Sequence, residues 1–261
     1  MPHFSRVRVN IILFNPDEFP TPAPNRASLT LPRADPRAAH IIDVLRRKPG
    51  DTFDAGLVDG PRGKATLAAI SPDDASLALT FLWGAPPPPL PPLTLIIGLP
   101  RPQTARKILN EATALGVSEM HFIATERGEP SYAQSTLWTT GEYRRHLIAG
   151  AAQAFCTRLP RITFSNTLTA TIAALATGQP GAHRIALDNY ESPAPLGGHL
   201  KHISRAPIIL ALGSERGWTS TERDQLRAAH FAFAHLGPRV LRTETAATAA
   251  ITLSLAHLGL V

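Results

Sequence analysis

One cysteine, Cys156, stands among 261 residues. No internal disulfide can form, so a reducing cytoplasm is the expected setting. Cys156 itself reads as a small buried hydrophobe. No run of 18 apolar residues occurs, so no helical membrane span is expected. The N-terminus also lacks the uninterrupted apolar stretch that a secretory leader carries after its basic residues. Several chemistries lack their signatures. There is no G-x-x-x-x-G-K-S/T phosphate loop, no H-E-x-x-H, no C-x-x-C pair and no G-x-S-x-G elbow. The ten histidines are scattered without ligand spacing, so no metal site is expected. Leu93 to Ile97 is followed by Gly98-Leu99-Pro100-Arg101, not by the Gly-rich turn of a dinucleotide fold. No internal repeat is visible.

What is present is a chain able to bury a core, with 44% hydrophobic residues and no sign of global disorder. Lys and Arg outnumber Asp and Glu by 26 to 20, for a net charge of +6, and most of these cations are Arg. That balance suits a polyanionic partner such as RNA, because guanidinium groups pair bidentately with phosphate and stack on bases. The run Ala85-Pro86-Pro87-Pro88-Pro89-Leu90-Pro91-Pro92 continues neither a helix nor a central strand and reads as a stiff spacer. We therefore expect a first domain at 1–84, a linker at 85–92 and a second domain at 93–261.

The first part reads as mostly β. Thr52 to Val58, Lys64 to Ile70 and Ser76 to Trp83 are short strand-like runs separated by turn residues. One helix interrupts them, with Asp35 as N-cap, Pro36 at the first helical position and an inward stripe of Ile41, Val44 and Leu45. Arg37, Arg46 and Arg47 decorate it, a basic face that is either solvated surface or a place for RNA backbone.

Beyond the spacer, strands and helices alternate. Leu93 to Ile97, Val117 to Ile123, Arg184 to Leu187 and Ile208 to Leu212 read as strands. Ala105 to Leu115, Trp138 to Phe155 and Leu168 to Ala176 have helical spacing. Thr219-x-x-Glu222 is a capping box opening a helix that runs through Ala229. This rhythm predicts an α/β domain with a mostly parallel sheet. Two loops follow its last strands. Leu212-Gly213-Ser214-Glu215-Arg216-Gly217-Trp218 is one. Leu236-Gly237-Pro238-Arg239-Val240-Leu241-Arg242 is the other, read as a Gly-Pro turn and a short apolar strand before a helix capped by Thr243 and running to Leu258. Backbone amides and guanidinium groups delivered to one spot suit an anionic or nucleotide-like ligand. Singly, the glycines permit no more than tight turns.

The second loop, together with His40-Ile41-Ile42-Asp43-Val44-Leu45-Arg46, Ala114-Leu115-Gly116-Val117 and Thr125-Glu126-Arg127, resembles the ribosomal RNA small-subunit methyltransferase E family of the SPOUT superfamily. The resemblance implies an α/β fold whose C-terminal parallel sheet, flanked by helices, carries a trefoil knot, with a smaller N-terminal PUA-like β-barrel. It implies S-adenosylmethionine as cofactor, held by Leu187, Leu212, Gly213, Gly217, Leu236, Gly237, Val240 and Leu241. It implies methylation of N3 of a uridine in 16S rRNA or the small ribosomal subunit, with Arg242 stabilising the charge that develops and Glu215 as a candidate proton acceptor. Arg37, Arg46, Arg47, Arg127 and Arg158 are the candidate RNA contacts, and a homodimer through the C-terminal domain is implied as well. Four departures stand out, one of them Ala114 where the family has Glu. Arg216 replaces a glycine of the family's Gly-Pro-Glu-Gly-Gly loop, Glu111 stands where Lys is usual, and Ala154-Phe155 replaces Glu-Gln. Arg216 and Ala154-Phe155 keep open a catalytically weak RNA-binding paralogue, and a methyltransferase of a different RNA is a further alternative.

Overall fold

The computed structural model describes residues 10–19 and 26–261. The N-terminal stretch read for a leader lies outside the described residues. The chain divides into two compact units, Met1–Pro89 with Ala151–Leu159, and Leu90–Gly150 with Pro160–Val261.

In the first unit, β1 (Ile12–Phe14), β2 (Arg26–Pro32), β3 (Thr52–Leu57), β4 (Arg62–Ile70) and β5 (Ser76–Trp83) form a five-stranded sheet in the order β1-β3-β4-β5-β2. Alternation along β5 turns Leu77, Leu79, Phe81 and Trp83 to one face. There they join Phe14, Phe19, Phe53 and Leu67 in a single core, each buried Leu or Phe contributing about 1.5–3 kcal/mol. The helix α1 (Pro36–Ala39) is capped as expected, the Asp35 carboxylate accepting from Arg37 N at 2.8 Å. It then widens into a π-type turn over His40–Val44, closed by the Leu45 N–H donating to His40 O. That wider turn rotates Val44 off the expected stripe. It is 65% exposed, whereas Ile41 is fully buried. Cys156 also departs from expectation and is only half-buried.

The second unit contains β6 (Leu93–Gly98), α2 (Pro102–Ala114), β7 (Glu119–Ala124), α3 (Thr136–Thr139), α4 (Tyr143–Gln153, of which residues 151–153 belong to the first unit), β8 (Arg161–Thr167), α5 (Leu168–Gly178), β9 (His183–Leu187), β10 (Ala194–Pro195), α6 (Leu196–Leu200), β11 (Ile208–Leu212), α7 (Ser220–Ala228), β12 (Ala232–His235) and α8 (Thr243–Leu258). The seven strands are all parallel, in the order β10-β12-β9-β11-β6-β7-β8. Both β6 and β11 are buried along their whole length, as strands covered on both faces must be. The expected helix from Trp138 to Phe155 is broken at Gly141, whose φ of +74° no helix accommodates. Residues 239–242 form no strand; their backbone follows the Gly237 turn without a ladder partner. Thr243 is the first residue of α8, and Arg242 occupies the N-cap without a side-chain bond.

Candidate functional site

Register places the ends of four parallel strands side by side. Leu212 at the end of β11 pairs with Leu187 at the end of β9 and with Ile97 in β6, and Leu187 pairs in turn with Ala234 of β12. Ligands of open α/β sheets sit at such carboxyl ends. Here the loops leaving β9, β11 and β12 converge on a cleft of about 210 Å³. Its wall holds Leu187, Leu212, Gly213, Glu215, Gly217, Leu236, Val240 and Leu241 from the expected set. Asp188, Asn189, Tyr190, Ser214, Arg216, Arg239, Thr243 and Ala246 also line it. Gly237 supplies the turn of the third loop at a φ of +108°, its N–H donating to His235 Nδ1 at 3.0 Å. Val240, 84% exposed, stands at the rim.

The loop after β11 is built around two glycines. The left-handed conformation falls on Gly217 (φ +69°) and not on Arg216, so the arginine costs no backbone strain. A Cβ on Gly213 would lie 2.9 Å from the Gly217 carbonyl carbon and 3.2 Å from Trp218 N, so this wall is backbone by steric necessity. Trp218 is fully buried and donates its indole N–H to Leu187 O at 3.1 Å, pinning the end of β9. The Thr219/Glu222 capping box forms, with Glu222 Oε2 accepting from Thr219 N and Oε1 from Glu126 N, each at 2.9 Å. Arg127 Nη1 donates to Arg216 O at 3.3 Å.

The loop after β9 is held electrostatically. The buried Asp188 accepts from the N–H groups of Tyr190 and Glu191 at 2.7 Å through Oδ1, and from Arg223 Nε at 2.8 Å through Oδ2. A charge so enclosed is tolerable only because donors surround it.

The candidate catalytic residues sit on the second and third loops. Glu215 Oε1 accepts from Arg101 N at 2.8 Å, and Oε2 has no partner among the described residues. The Arg242 guanidinium makes no hydrogen bond among the described residues, interacts electrostatically with the Glu244 carboxylate, and is not among the residues lining the cleft. Glu111 meets α8, accepting from Thr248 Oγ1 at 2.7 Å. Of the expected RNA contacts, Arg37 is occupied by Glu18 and Asp35 at 2.7 Å. Burial opposes its charge, but these ion pairs outweigh burial and raise its pKa. Arg158 donates to the carbonyls of Pro87 and Pro88, and Arg47 Nε is buried without a partner among the described residues.

Comparison with known proteins gives a consistent result. A family model described as an RNA methyltransferase domain matches residues 86–255. A ribosomal RNA small subunit methyltransferase E of Treponema pallidum is 35% identical over 95% of this chain and 91% of its own. A ribosomal RNA small subunit methyltransferase E 1 of Borreliella burgdorferi is 29% identical over 83% and 88%. The crystal structure of a ribosomal RNA small subunit methyltransferase E from Neisseria gonorrhoeae, bound to S-adenosylmethionine, superposes with a TM-score of 0.71 at 21% identity, covering 94% of this chain and 97% of that one.

Proposed function

The chain belongs to the RNA methyltransferase family, with the ribosomal RNA small subunit methyltransferase E proteins, and from that premise we propose that it binds S-adenosylmethionine in the cleft and methylates N3 of a uridine in 16S rRNA. The observation that carries this reading is the convergence of the loops after β9, β11 and β12 on one cleft with a backbone wall and apolar sides. Those residues fit the cofactor: Leu236, Val240 and Leu241, with Leu187, suit an adenine, and Leu212, Gly213 and Gly217 offer backbone groups at close approach. Gly237 makes the turn that brings the third loop in. When bound, the cofactor supplies an electrophilic sulfonium methyl group.

The chain's own residues do the rest. The loops hold the acceptor base near the methyl, and positioning alone lowers a large part of such a barrier. Uracil N3 must lose a proton, and negative charge then spreads to the flanking carbonyl oxygens. Arg242, permanently cationic and with a fork of free donors, stabilises that charge. Glu215, anchored through Oε1, keeps Oε2 for the proton. Arg46, Arg47 and Arg127 add positive charge for RNA phosphates, and the target base is reached unstacked.

The finer architecture belongs to the same proposal. A trefoil knot accords with β11 lying between β6 and β9, and β12 between β9 and β10, strands that reach the sheet out of chain order. A PUA-like barrel accords with five strands around one core. A homodimer accords with the small residues of α8.

Calorimetric titration of S-adenosylmethionine, followed by methyl transfer to unmodified 16S rRNA and mass spectrometry of the nucleosides, tests the reading. Micromolar binding and N3-methyluridine are expected. No binding, or a methyl group on another atom, overturns it.

A further inference from the structure

Two exposed side chains at the mouth of the cleft have no part in the chemistry above: Tyr190 on the loop after β9 and Arg216 on the loop after β11. Tyr190 is 80% exposed, yet it is not free to wander. Its N–H is held by Asp188, and the Arg223 guanidinium lies 5.4 Å from its ring centroid. Arg223 is fixed in turn by Asp188 and Glu191. The ring is therefore presented to solvent in a fixed place, steadied by the cation against it.

Arg216 brings positive charge to the same rim. Arg106, Arg161, Arg223 and Arg227 all pair with carboxylates, while the guanidinium of Arg216 has no partner among the described residues. Its backbone is nonetheless anchored through Arg127. Neither carboxylate of the cleft wall neutralises it. Asp188 is committed to Arg223 and two amides, and Glu215 binds the Arg101 amide through Oε1 and makes no ion pair with Arg216.

An aromatic plate and an unpaired guanidinium across one opening match a nucleotide, the base meeting the ring and the phosphate meeting the fork. We propose that Tyr190 and Arg216 form a clamp for single-stranded RNA, the ring stacking on a base beside the target uridine and Arg216 pairing with an adjacent phosphate. This rests on the methyltransferase reading and adds to it the place where substrate enters.

The natural protein is compared with Tyr190→Ala, Tyr190→Phe and Arg216→Gln in two titrations. One uses S-adenosylmethionine. The other uses a fluorescein-labelled, uridine-containing RNA of about 16 nucleotides over a range of KCl concentrations. Tyr190→Ala is expected to weaken RNA binding roughly tenfold, while Tyr190→Phe keeps natural affinity. Arg216→Gln weakens it and lowers the slope of log K against log salt by about one. Both side chains line the cofactor cleft, so cofactor affinity is the internal comparison: it falls less than RNA affinity in Tyr190→Ala and Arg216→Gln. RNA affinity untouched in both Tyr190→Ala and Arg216→Gln, while the natural protein binds RNA, overturns this inference alone. Losses confined to S-adenosylmethionine overturn it in favour of a cofactor clamp. Failure of the natural protein to bind this RNA while it still methylates 16S rRNA also overturns the clamp alone; failure of both removes the methyltransferase reading along with it.

Discussion

The Oε1 atom of Glu215 accepts a 2.8 Å hydrogen bond from the backbone N–H of Arg101, a residue 114 positions earlier in the chain. Arg101 is the N-cap of α2, so one carboxylate ties the loop after β11 to the start of a helix beside β6. The same carboxylate is the candidate proton acceptor, and its two oxygens let the roles be separated.

Glu215→Gln keeps an oxygen for Arg101 but cannot take a proton. It is expected to melt like the natural protein, bind S-adenosylmethionine normally and lose roughly 10²-fold in kcat. Glu215→Ala gives up the tether as well and costs about 1 kcal/mol of stability. Denaturant melts and single-turnover methylation check this. A glutamine variant that methylates at the natural rate would leave Glu215 with the tether alone.

Arg216→Gly restores the glycine usual in the family at this position, yet it relieves nothing in the backbone, because the positive φ falls on Gly217. The change is expected to lower stability by about 0.5–1 kcal/mol through greater freedom of the unfolded chain and to leave cofactor affinity within about twofold. Calorimetry decides. A large gain in affinity would mean that the arginine side chain obstructs the cleft, which is what a closed-pocket paralogue requires.

Trp218→Phe removes the indole N–H that meets Leu187 O while retaining most of the buried ring. The orphaned carbonyl costs about 1–3 kcal/mol, and the end of β9, where Leu187 lines the cleft, loses its pin. A lower urea midpoint together with weaker S-adenosylmethionine binding is expected. Weaker stability with unchanged binding would separate Trp218 from the site.

Legibility followed the range of the interactions. The Thr219/Glu222 box, the Asp35 cap and the extent of α8 depend on neighbours within a few residues, and they could be read directly. The strands β6 and β11 were readable because burial on both faces leaves an unbroken apolar run. By contrast, β8, with its Ser, Asn and Thr, sits at the sheet edge and lacks that run. The four residues of β12 are too few for a period to show. Among site residues, the glycine loops carry local turn chemistry. Asp188 and Tyr190, on a loop, matter only because Arg223 of α7 reaches them, and nothing local announces that pairing. Gly98 reads locally as the wrong turn for a dinucleotide, although its lack of a side chain is what lets the neighbouring loop approach.

Acid should weaken the protein through Glu142. Its carboxyl is bound by Arg106, with His146 and Thr136 also in reach. These partners, Arg106 foremost, pull its pKa from the ordinary 4.5 down to about 2. Folding then favours the ionised form. Its contribution is complete above the unfolded value near 4.5 and is lost as pH falls through that window toward about 2. In urea titrations, Glu142→Gln should be less stable than the natural protein at neutral pH, and the two should converge as pH approaches the folded value. A constant difference across that window would assign the effect to packing.

Gly98 ends β6 at the point where the loop after β11 passes. A Cβ placed there would meet the backbone of that loop, 2.9 Å from the Gly213 carbonyl carbon and closer still to Ser214 N. Backbone cannot swing aside as a flexible side chain does, so Gly98→Ala must push the Gly213 to Gly217 wall outward or strain β6, at about 1–3 kcal/mol. The strand itself, buried throughout, is the stiffer of the two, so the loop yields. Cofactor affinity is therefore expected to fall at least tenfold while the fold is retained, as calorimetry beside circular dichroism would show. An intact affinity with a lowered melting temperature would mean that the strand yields instead, and that this wall of the cleft tolerates no displacement.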